Sequence, residues 1–591
     1  MDSRGAEVPL SPSNVVAALN ASLSTDAVMR GMAVQQLQRW EAASGYALML
    51  LDIYLDASTD TQSKFLAITM CKNTVGRNWQ PRSSHCISQE EREHFKQKLV
   101  GVLYNADPAR IEHLAEFVLL LRKVCRAEFP AKWPDMVNWT TSSMKSLASS
   151  LTSVPREQVL ALLKIIHGVV KEQQTKKLLS ARKQTFEIAP HILEGLLPIW
   201  QHFSSAISDW ELCRVLDGTT LILLCIGFQK LYLVPSGLSI VSSVFQRLAL
   251  VVNAYPQNYK DPYYEKDLKT LLKWFAQIVH THPLALAECG VDKVLMAVLA
   301  PGSGWIHQRN MPDFFPRYLI NIVQYCMNCT AFRKGISNVT ASETGDEQMR
   351  QKLISSLHPQ FINFITNTGG LGPAIVEPVI NAGLCVDEES LREWIEDSEQ
   401  YLTGPPCVAT DLRLATEACL LAAQQEPFTQ ALAEYVAAAA NGLVESIGQL
   451  MGSSPPSATM SAIRCVPVEP VPYNPAEVQY ASVLVDRIAV PVLQLPTAQP
   501  YVALLKYRVI MLLRTWAGEL ASSQRVEASV QAIGRCLESN QEHPGVKFQA
   551  VLSLRSIFDR DPEHPVWVAD GLLPNIISRA MDMLGTSGGV N

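Results

Sequence analysis

Cys326 and Cys329, spaced C-x-x-C in the run QYCMNC, have the plainest potential for metal or redox chemistry in this chain. A zinc site would need a second ligand pair, and no other CxxC and no HxxxH occurs. A reactive thiol would need a lowered pKa, as a helix N-terminus can supply. These cysteines instead fall inside the apolar helical run 318–329, so core thiols are expected. Ser180-x-x-Lys183 has the letters of a nucleophile motif, but its surroundings, KEQQTKKLLSARKQ, read as a solvated helix end and loop. Gly369-Gly370-Leu371-Gly372 has the look of a phosphate loop, yet no GK[ST] follows and no buried strand precedes it; Pro373 favours a plain loop. The 12 histidines include no HExxH. No catalytic residue, metal site or cofactor is expected, and an enzyme is the least favoured reading.

A different feature is RAEFPAKWPDMVNW, residues 126–139, with two prolines and two tryptophans. It could be an aromatic binding platform, a loop over a pocket or a corner between helices. The residue before Pro130 is pushed out of helical geometry, while Pro134 suits a first helical turn, where its missing N–H costs nothing. The corner is the better reading, with Trp133 packed over the turn and Trp139 either in the same interface or on the outer face.

The elements around these residues are helical. A chain of 591 residues exceeds what one core can serve, so several domains or a repeat array are required. Apolar residues are 48% and charged residues 18%, a globular balance. The formal charge of −6 argues against a partner bound by wholesale phosphate neutralisation, so no direct nucleic acid is expected. No signal-peptide or import pattern opens the sequence. The best apolar run, TLILLCIGF, is too short to span a membrane. The 13 cysteines lack framework spacing and read as reduced thiols of an intracellular protein.

Helical periodicity recurs throughout, for example at Ile111, Leu114, Ala115, Val118 and Leu119. Asp107-Pro108 and a Ser88/Glu91 capping box mark helix starts. Helices are expected near 14–21, 25–42, 45–56, 59–79, 88–104, 107–127, 133–150 and 155–172. They pair into hairpins with a period of about 40–45 residues, that of HEAT or armadillo arrays. A weak signature repeats as Arg30-x-x-Ala33 with Leu37, Lys64-x-x-Ala67 with Cys71, and Lys547-x-x-Ala550 with Leu554. The expected fold is all-α: a HEAT-repeat α-solenoid, a right-handed superhelix of antiparallel helix pairs. Expected segments are 1–172, 173–450 with a polar loop near 338–348, a Pro/Ser-rich loop or linker at 451–474, and further repeats over 475–591.

The opening region also carries a specific pattern. AVQQLQRWEAASGYALMLLDIYL, KFLAITMCKNTVGRNWQP and ISQEEREHFKQKLV follow one another in order. They resemble the N-terminal region of the importin-β (karyopherin-β) nuclear transport receptors through Leu37, Trp40 and Glu41; Ala67, Lys72, Asn73 and Trp79; and Ser88, Glu90, Glu91 and Arg92. Pro130, Trp133 and Pro134 match that family's P-x-x-W-P element, and Trp394, Asp397 and Glu399 a segment midway along it. KYRVIMLLRTW and GVKFQAVLSLRSIFD are similar to two later repeats, and KKLLSARKQTF fits the importin-eleven branch. Lys64 stands where the family usually has arginine, and Ser398 where it has proline.

The resemblance implies a receptor that binds Ran-GTP through repeats 1–4 over residues 1–172, carries protein cargo and docks Phe-Gly nucleoporins while shuttling between nucleus and cytoplasm through the pore. Lys64, Lys72, Asn73 and Arg77 are the implied Ran contacts, on a concave surface built from the second helix of each pair; a solvated face or inter-repeat bonding is the bland alternative for each. The chain is well short of a full receptor, so either a C-terminal solenoid lies outside this sequence or the protein is a short form. The rival expectation is a HEAT scaffold for complex assembly without transport activity.

Overall fold

The computed structural model describes residues 8–80, 83, 85–176, 179–204, 209–300, 302, 304–307, 311–312, 314–335, 345–383, 394, 408–432, 434–435, 438, 484–497, 500–515, 526–560, 562–563, 565–567 and 572–586. No strand occurs among the described residues. The chain divides into two compact units, Met1–Glu288 and Cys289–Asn591.

The first unit is a two-layered stack of helices. One layer contains α1 (Pro12–Ala21), α3 (Tyr46–Leu55), α5 (Gln89–Asn105), α7 (Pro134–Ser150) and α9 (Leu179–Ser204), each packed on the next. The second, the B layer, stacks α4 (Thr61–Asn78), α6 (Leu114–Glu128), α8 (Arg156–Glu172), α10 (Trp210–Ile226) and α13 (Pro262–Thr281) in the same way. Of the remaining helices, α2 (Ala27–Trp40) packs on α1, α11 (Gly237–Asn253) packs on α13, and α12 (Tyr255–Asn258) is a single turn. This is the expected HEAT arrangement. Packing continues past residue 172 into α9 and α10 without a break at the expected segment boundary.

Short polar residues start these helices by satisfying orphan N–H groups. Asp26 accepts from Val28 N, Asp60 from Ser63 N, and Asp261 from Tyr263 N. Ser88 accepts from Glu91 N as a capping box requires. The reciprocal bond goes elsewhere: the Glu91 carboxylate accepts from Gly45 N at 3.0 Å, at the start of α3. Gly45 has φ 84°, which an L side chain rarely adopts.

The helix expected over 107–127 is broken. Asp107 caps a 3-10 turn, Pro108–Arg110, and α6 begins only at Leu114, after His113 at φ 49°. That break rotates the core face. Phe117, Leu120, Leu121, Val124 and Cys125 are buried, whereas Ala115 of the expected stripe is exposed. The signature residues do pack inward: Ala33 and Leu37, Ala67 and Cys71, Ala550 and Leu554 are all buried.

The 126–139 stretch is a corner. Helix α6 ends at Glu128, the Phe129–Pro130 peptide is cis, and Pro134 opens α7. Trp133 is 2% exposed. Trp139 is buried too, donating its indole N–H to Leu103 O at 3.0 Å, which places it in the α5–α7 interface.

Deeper in the first unit, Arg247 of α11 is 1% exposed between Asp217 of α10 and Asp267 of α13. Asp217 also accepts from Trp200 Nε1 at 2.5 Å. Two carboxylates face one buried guanidinium. Burial, then Asp217, push the Asp267 carboxyl well above its ordinary range. A side-chain hydrogen bond with Asp217 adds to this rise, which favours a proton retained between the two carboxyls.

In the second unit, α14 (Val291–Leu299) packs on α17 (Gly345–Asn367), and α15 (Phe314–Asn328) on α19 (Val408–Ala423). Between them lie α16 (Thr330–Lys334) and α18 (Glu377–Gly383). Cys326 is fully buried in α15, where burial holds its thiol well above the ordinary range. Cys329 departs from the expected helix interior: it precedes α16 as its cap, and burial still raises its thiol. Gly369 and Gly370, both at positive φ, turn the chain into a π-helical turn, Gly372–Val376. Ser180 and Lys183 lie in the first turns of α9.

Further along are α20 (Val490–Gln494), α21 (Pro500–Thr515), α22 (Val526–Glu538), α23 (Pro544–Phe558) and α24 (Leu572–Thr586). A 3-10 turn, Pro565–Trp567, precedes α24. Trp394 is fully buried in this cluster, with its ring stacked on His543 at 4.8 Å and 5.1 Å from Tyr507. Asp397, Ser398, Glu399 and the 451–474 segment lie outside the described residues, as does most of 338–348.

Candidate partner-binding face

The B layer displays three of the four implied contacts already engaged. Lys64 Nζ reaches Glu112 Oε1 at 3.1 Å, just before α6, and Lys72 Nζ reaches Glu116 of α6 at 2.5 Å. Arg77 turns back to Glu41, after α2, at 2.6 Å. Asn73 is exposed on the same helix and open. The spacing Lys64–Lys72, eight residues on one helix, puts both ammonium groups over α6.

The pattern continues down the layer. Arg122 of α6 pairs with Glu172 of α8 at 2.6 Å, and Lys164 of α8 with Glu211 of α10 at 2.7 Å. Arg156 adds a fork onto Asp209, through Nη2 to Oδ1 at 2.7 Å. Lys64, Lys72, Arg122, Arg156 and Lys164 therefore each hold an acid on, or just before, the next B helix. Half-exposed pairs of this kind contribute about 0–1 kcal/mol each, so they register the helices more than they stabilise the unit. Burial of the facing leucines and phenylalanines, about 1.5–3 kcal/mol per side chain, supplies the stability.

Some B-layer contacts are too close for a side chain. A Cβ on Gly168 of α8 would stand 2.7 Å from Val118 Cγ1 and 3.3 Å from Arg122 Cγ. His167 beside it bonds Thr219 of α10 at 3.0 Å. Burial, followed by Lys171, Arg214 and Arg122, pushes the His167 pKa down to about 3, so the ring is neutral.

One surface has no sequence-stated role. Helix α2 turns Ala33, Leu37 and Trp40 inward, with Trp40 Nε1 donating to Val8 O at 3.1 Å. Val28, Met29 and Met32 are left on its other side, 70%, 53% and 67% exposed. Phe65 of α4 is also exposed, edge-on to His113. This face has the clustered exposed apolar side chains that are a feature of contact surfaces. Its signal was present in AVMRGMAVQQLQRW, where apolar residues fall on both sides of the helix. Trp79, by contrast, is internal, with its indole N–H bonded to Glu128 at 3.0 Å.

Residues 33–105, from within α2 to the end of α5, match the importin-β N-terminal domain. Importin-11 of mouse and of human each align over 430 residues at 22% identity, 68% of this chain and 41% of theirs. Over these stretches the chain is similar to the importin-β family. It is also similar to kap113 of Schizosaccharomyces pombe, 25% identical over 197 residues, 33% of this chain and 19% of kap113. It spans less than half the length of the curated importin-11 relatives. Among solved structures, the bidirectional nuclear transport receptor Lph2 of S. cerevisiae superposes with TM-score 0.69 at 16% identity, covering 97% of this chain and 55% of Lph2. Yeast importin-β, Kap95p, gives 0.58 at 13% identity, with 97% and 59% covered. Both likenesses establish the HEAT solenoid.

Among the described residues no cluster of His, Cys, Asp and Glu is placed to hold a metal ion, and no helix is long and apolar enough to cross a membrane.

Proposed function

We propose that the chain acts as a nuclear transport receptor whose first four helix pairs take Ran in its GTP-bound form. The observation that carries this reading is the apolar face of α2, Val28, Met29 and Met32, just before the residues that match the importin-β N-terminal domain and outside the core. A solved complex of the related Kap95p, alike in fold over 98% of this chain at TM-score 0.52, has Kap95p inducing the switch loops of RanGDP to adopt the GTP-bound conformation. In this chain the apolar face of α2 supplies buried area and Asn73 an open amide. Lys64, Lys72 and Arg77 each exchange an internal carboxylate for one on the GTPase, at least cost for Arg77, whose side chain is 59% exposed against 9% and 19% for Lys64 and Lys72.

Protein cargo binds in competition with Ran, since a stack whose repeats touch only their neighbours adjusts its curvature in small steps. A ligand that favours one curvature weakens another that favours a different one. Phe-Gly nucleoporins dock weakly between outer helices, and the receptor shuttles between nucleus and cytoplasm.

The test is capture of the full chain on immobilised Ran loaded with GTP or with GDP. Selective retention on the GTP form is expected. Equal retention on both forms, or none, overturns the reading in favour of a HEAT scaffold without transport activity.

A further inference from the structure

The ion pairs of the B layer use up its acids unevenly. Glu116 is held by Lys72, Glu172 by Arg122, and Glu211 by Lys164 and Arg156. Four cations on the same succession of helices form no ion pair among the described residues: Lys123 of α6, Lys171 of α8, Arg214 of α10 and Lys273 of α13. Lys123 lies across α4, where a Cβ on Gly76 would be 3.8 Å from its Nζ. Arg214 sits over the Tyr263 ring at 6.0 Å, and Lys273 is 5.3 Å from the Trp274 ring. Both cations cover aromatic faces instead of meeting carboxylates.

Three of these charges, Lys171, Arg214 and Lys273, feel one another. Lys171 is held below its ordinary range by burial and then by Arg122, Lys273 and Arg214, and Arg122 and Arg214 also help keep His167 neutral. Of the carboxylates beside Lys171, Glu172 already bonds Arg122. The chain as a whole carries −6, so this is a local positive stripe on an acidic protein.

We infer that the stripe Lys123–Lys171–Arg214–Lys273 on α6, α8, α10 and α13 is a docking track for an extended acidic protein segment. The spacing suits one. Stacked helices stand about 8–10 Å apart, and an extended chain advances about 3.3 Å per residue, so a carboxylate at every third position meets one cation per helix. Crossing four helices takes roughly 10 residues on the same spacings. An acidic peptide fits better than RNA: the aromatic faces that would stack bases are covered by Arg214 and Lys273, and the net charge opposes a long polyanion. The track shares α6 and α8 with the helix pairs proposed for Ran, but its test contains no Ran, so its outcome is read apart from that proposal.

The test uses the full chain and a fluorescein-labelled (Gly-Gly-Glu)4 peptide, read by anisotropy at low salt. Binding is expected to weaken as salt rises and by about tenfold or more in the Lys171→Glu/Lys273→Glu variant. A Lys145→Glu control on α7 is expected to bind as the parent does. Thermal melts of both variants verify folding, since the reversed residues are exposed. Peptide binding unchanged by the double reversal, or no binding by the parent, overturns the inference. Tighter binding of a 12-nucleotide oligouridylate, lost in the same variant, would reassign the stripe to RNA.

Discussion

Trp79 Nε1 donates to Glu128 Oε1 at 3.0 Å, joining the last turn of the second helix pair to the last residue of α6. Both side chains are buried, and Lys96 of α5 completes the group by reaching Glu128 at 3.4 Å and Lys132 O at 2.8 Å. The two motif elements that look separate in sequence, the tryptophan after α4 and the proline-tryptophan corner after α6, are thereby one structure. The corner is positioned from the preceding repeat and the indole is its brace.

Removing one partner of this group should cost more than removing the charged pair together. Glu128→Leu leaves the Lys96 ammonium, 4% exposed, with Glu93 at 2.9 Å as its remaining carboxylate and strands the Trp79 indole N–H, and is expected to destabilise α4–α6 by about 3–5 kcal/mol. The Glu128→Leu/Lys96→Met double variant is expected to recover all but the cost of stranding the indole N–H, about 1–3 kcal/mol. Hydrogen-exchange protection of the α4 and α6 amides reads both values.

Asp267 predicts an unusual pH dependence. Its carboxyl is raised in the folded state from an ordinary value of 3.8, so above that value the folded protein holds a proton that the unfolded chain has released. Stability from this group falls as pH rises through the window up to the folded pKa. Asp267→Asn mimics the protonated acid and should flatten that decline. Melting temperatures of parent and variant between about pH 5 and pH 8 check it; parallel curves would remove the proton from Asp267.

Gly168 and Gly101 should respond oppositely to alanine. At Gly168 the new methyl meets Val118 at 2.7 Å, and a loss of about 1–3 kcal/mol is expected from overpacking. At Gly101, inside α5 with nothing within 4 Å, alanine should add about 0.5–1 kcal/mol through helix propensity. Thermal denaturation of the two single variants measures the contrast.

Met29→Glu/Met32→Glu tests the proposed Ran face. Both methionines are exposed, so stability should move by no more than about 0.5 kcal/mol. Affinity for Ran-GTP is expected to drop by about tenfold or more, as for polar replacement of apolar anchors in an interface. Isothermal titration gives the affinity, and an unchanged value would place Ran elsewhere.

The helical repeat was legible because period, caps and corner are local properties. Ser88, Asp107 and Pro134 all mark starts in the structure. What sequence could not show was where side chains go across repeats. Glu91 has the spacing of a capping box, yet it satisfies Gly45 instead of Ser88, since an orphan N–H in the neighbouring repeat competes for the same carboxylate. Ile111 and Ala115 have helical spacing, yet His113 breaks the chain between them and turns another face inward. Lys64, Lys72 and Arg77 looked available because their partners, Glu112, Glu116 and Glu41, lie a repeat away. Trp394 was legible as a motif residue, but its stacking on His543 was not.

Those partners are separated by nearly constant lengths of chain: 44 residues for Lys72–Glu116, 46 for Gly45–Glu91, 47 for Lys164–Glu211, 49 for Trp79–Glu128 and 50 for Arg122–Glu172. During synthesis, then, every repeat emerges with its braces missing and keeps them missing until the following repeat has left the ribosome. At about 5–20 residues per second, that interval is a few seconds at each step. The nascent solenoid therefore always has one unfinished repeat at its growing end, a travelling vulnerable segment for chaperones to shield.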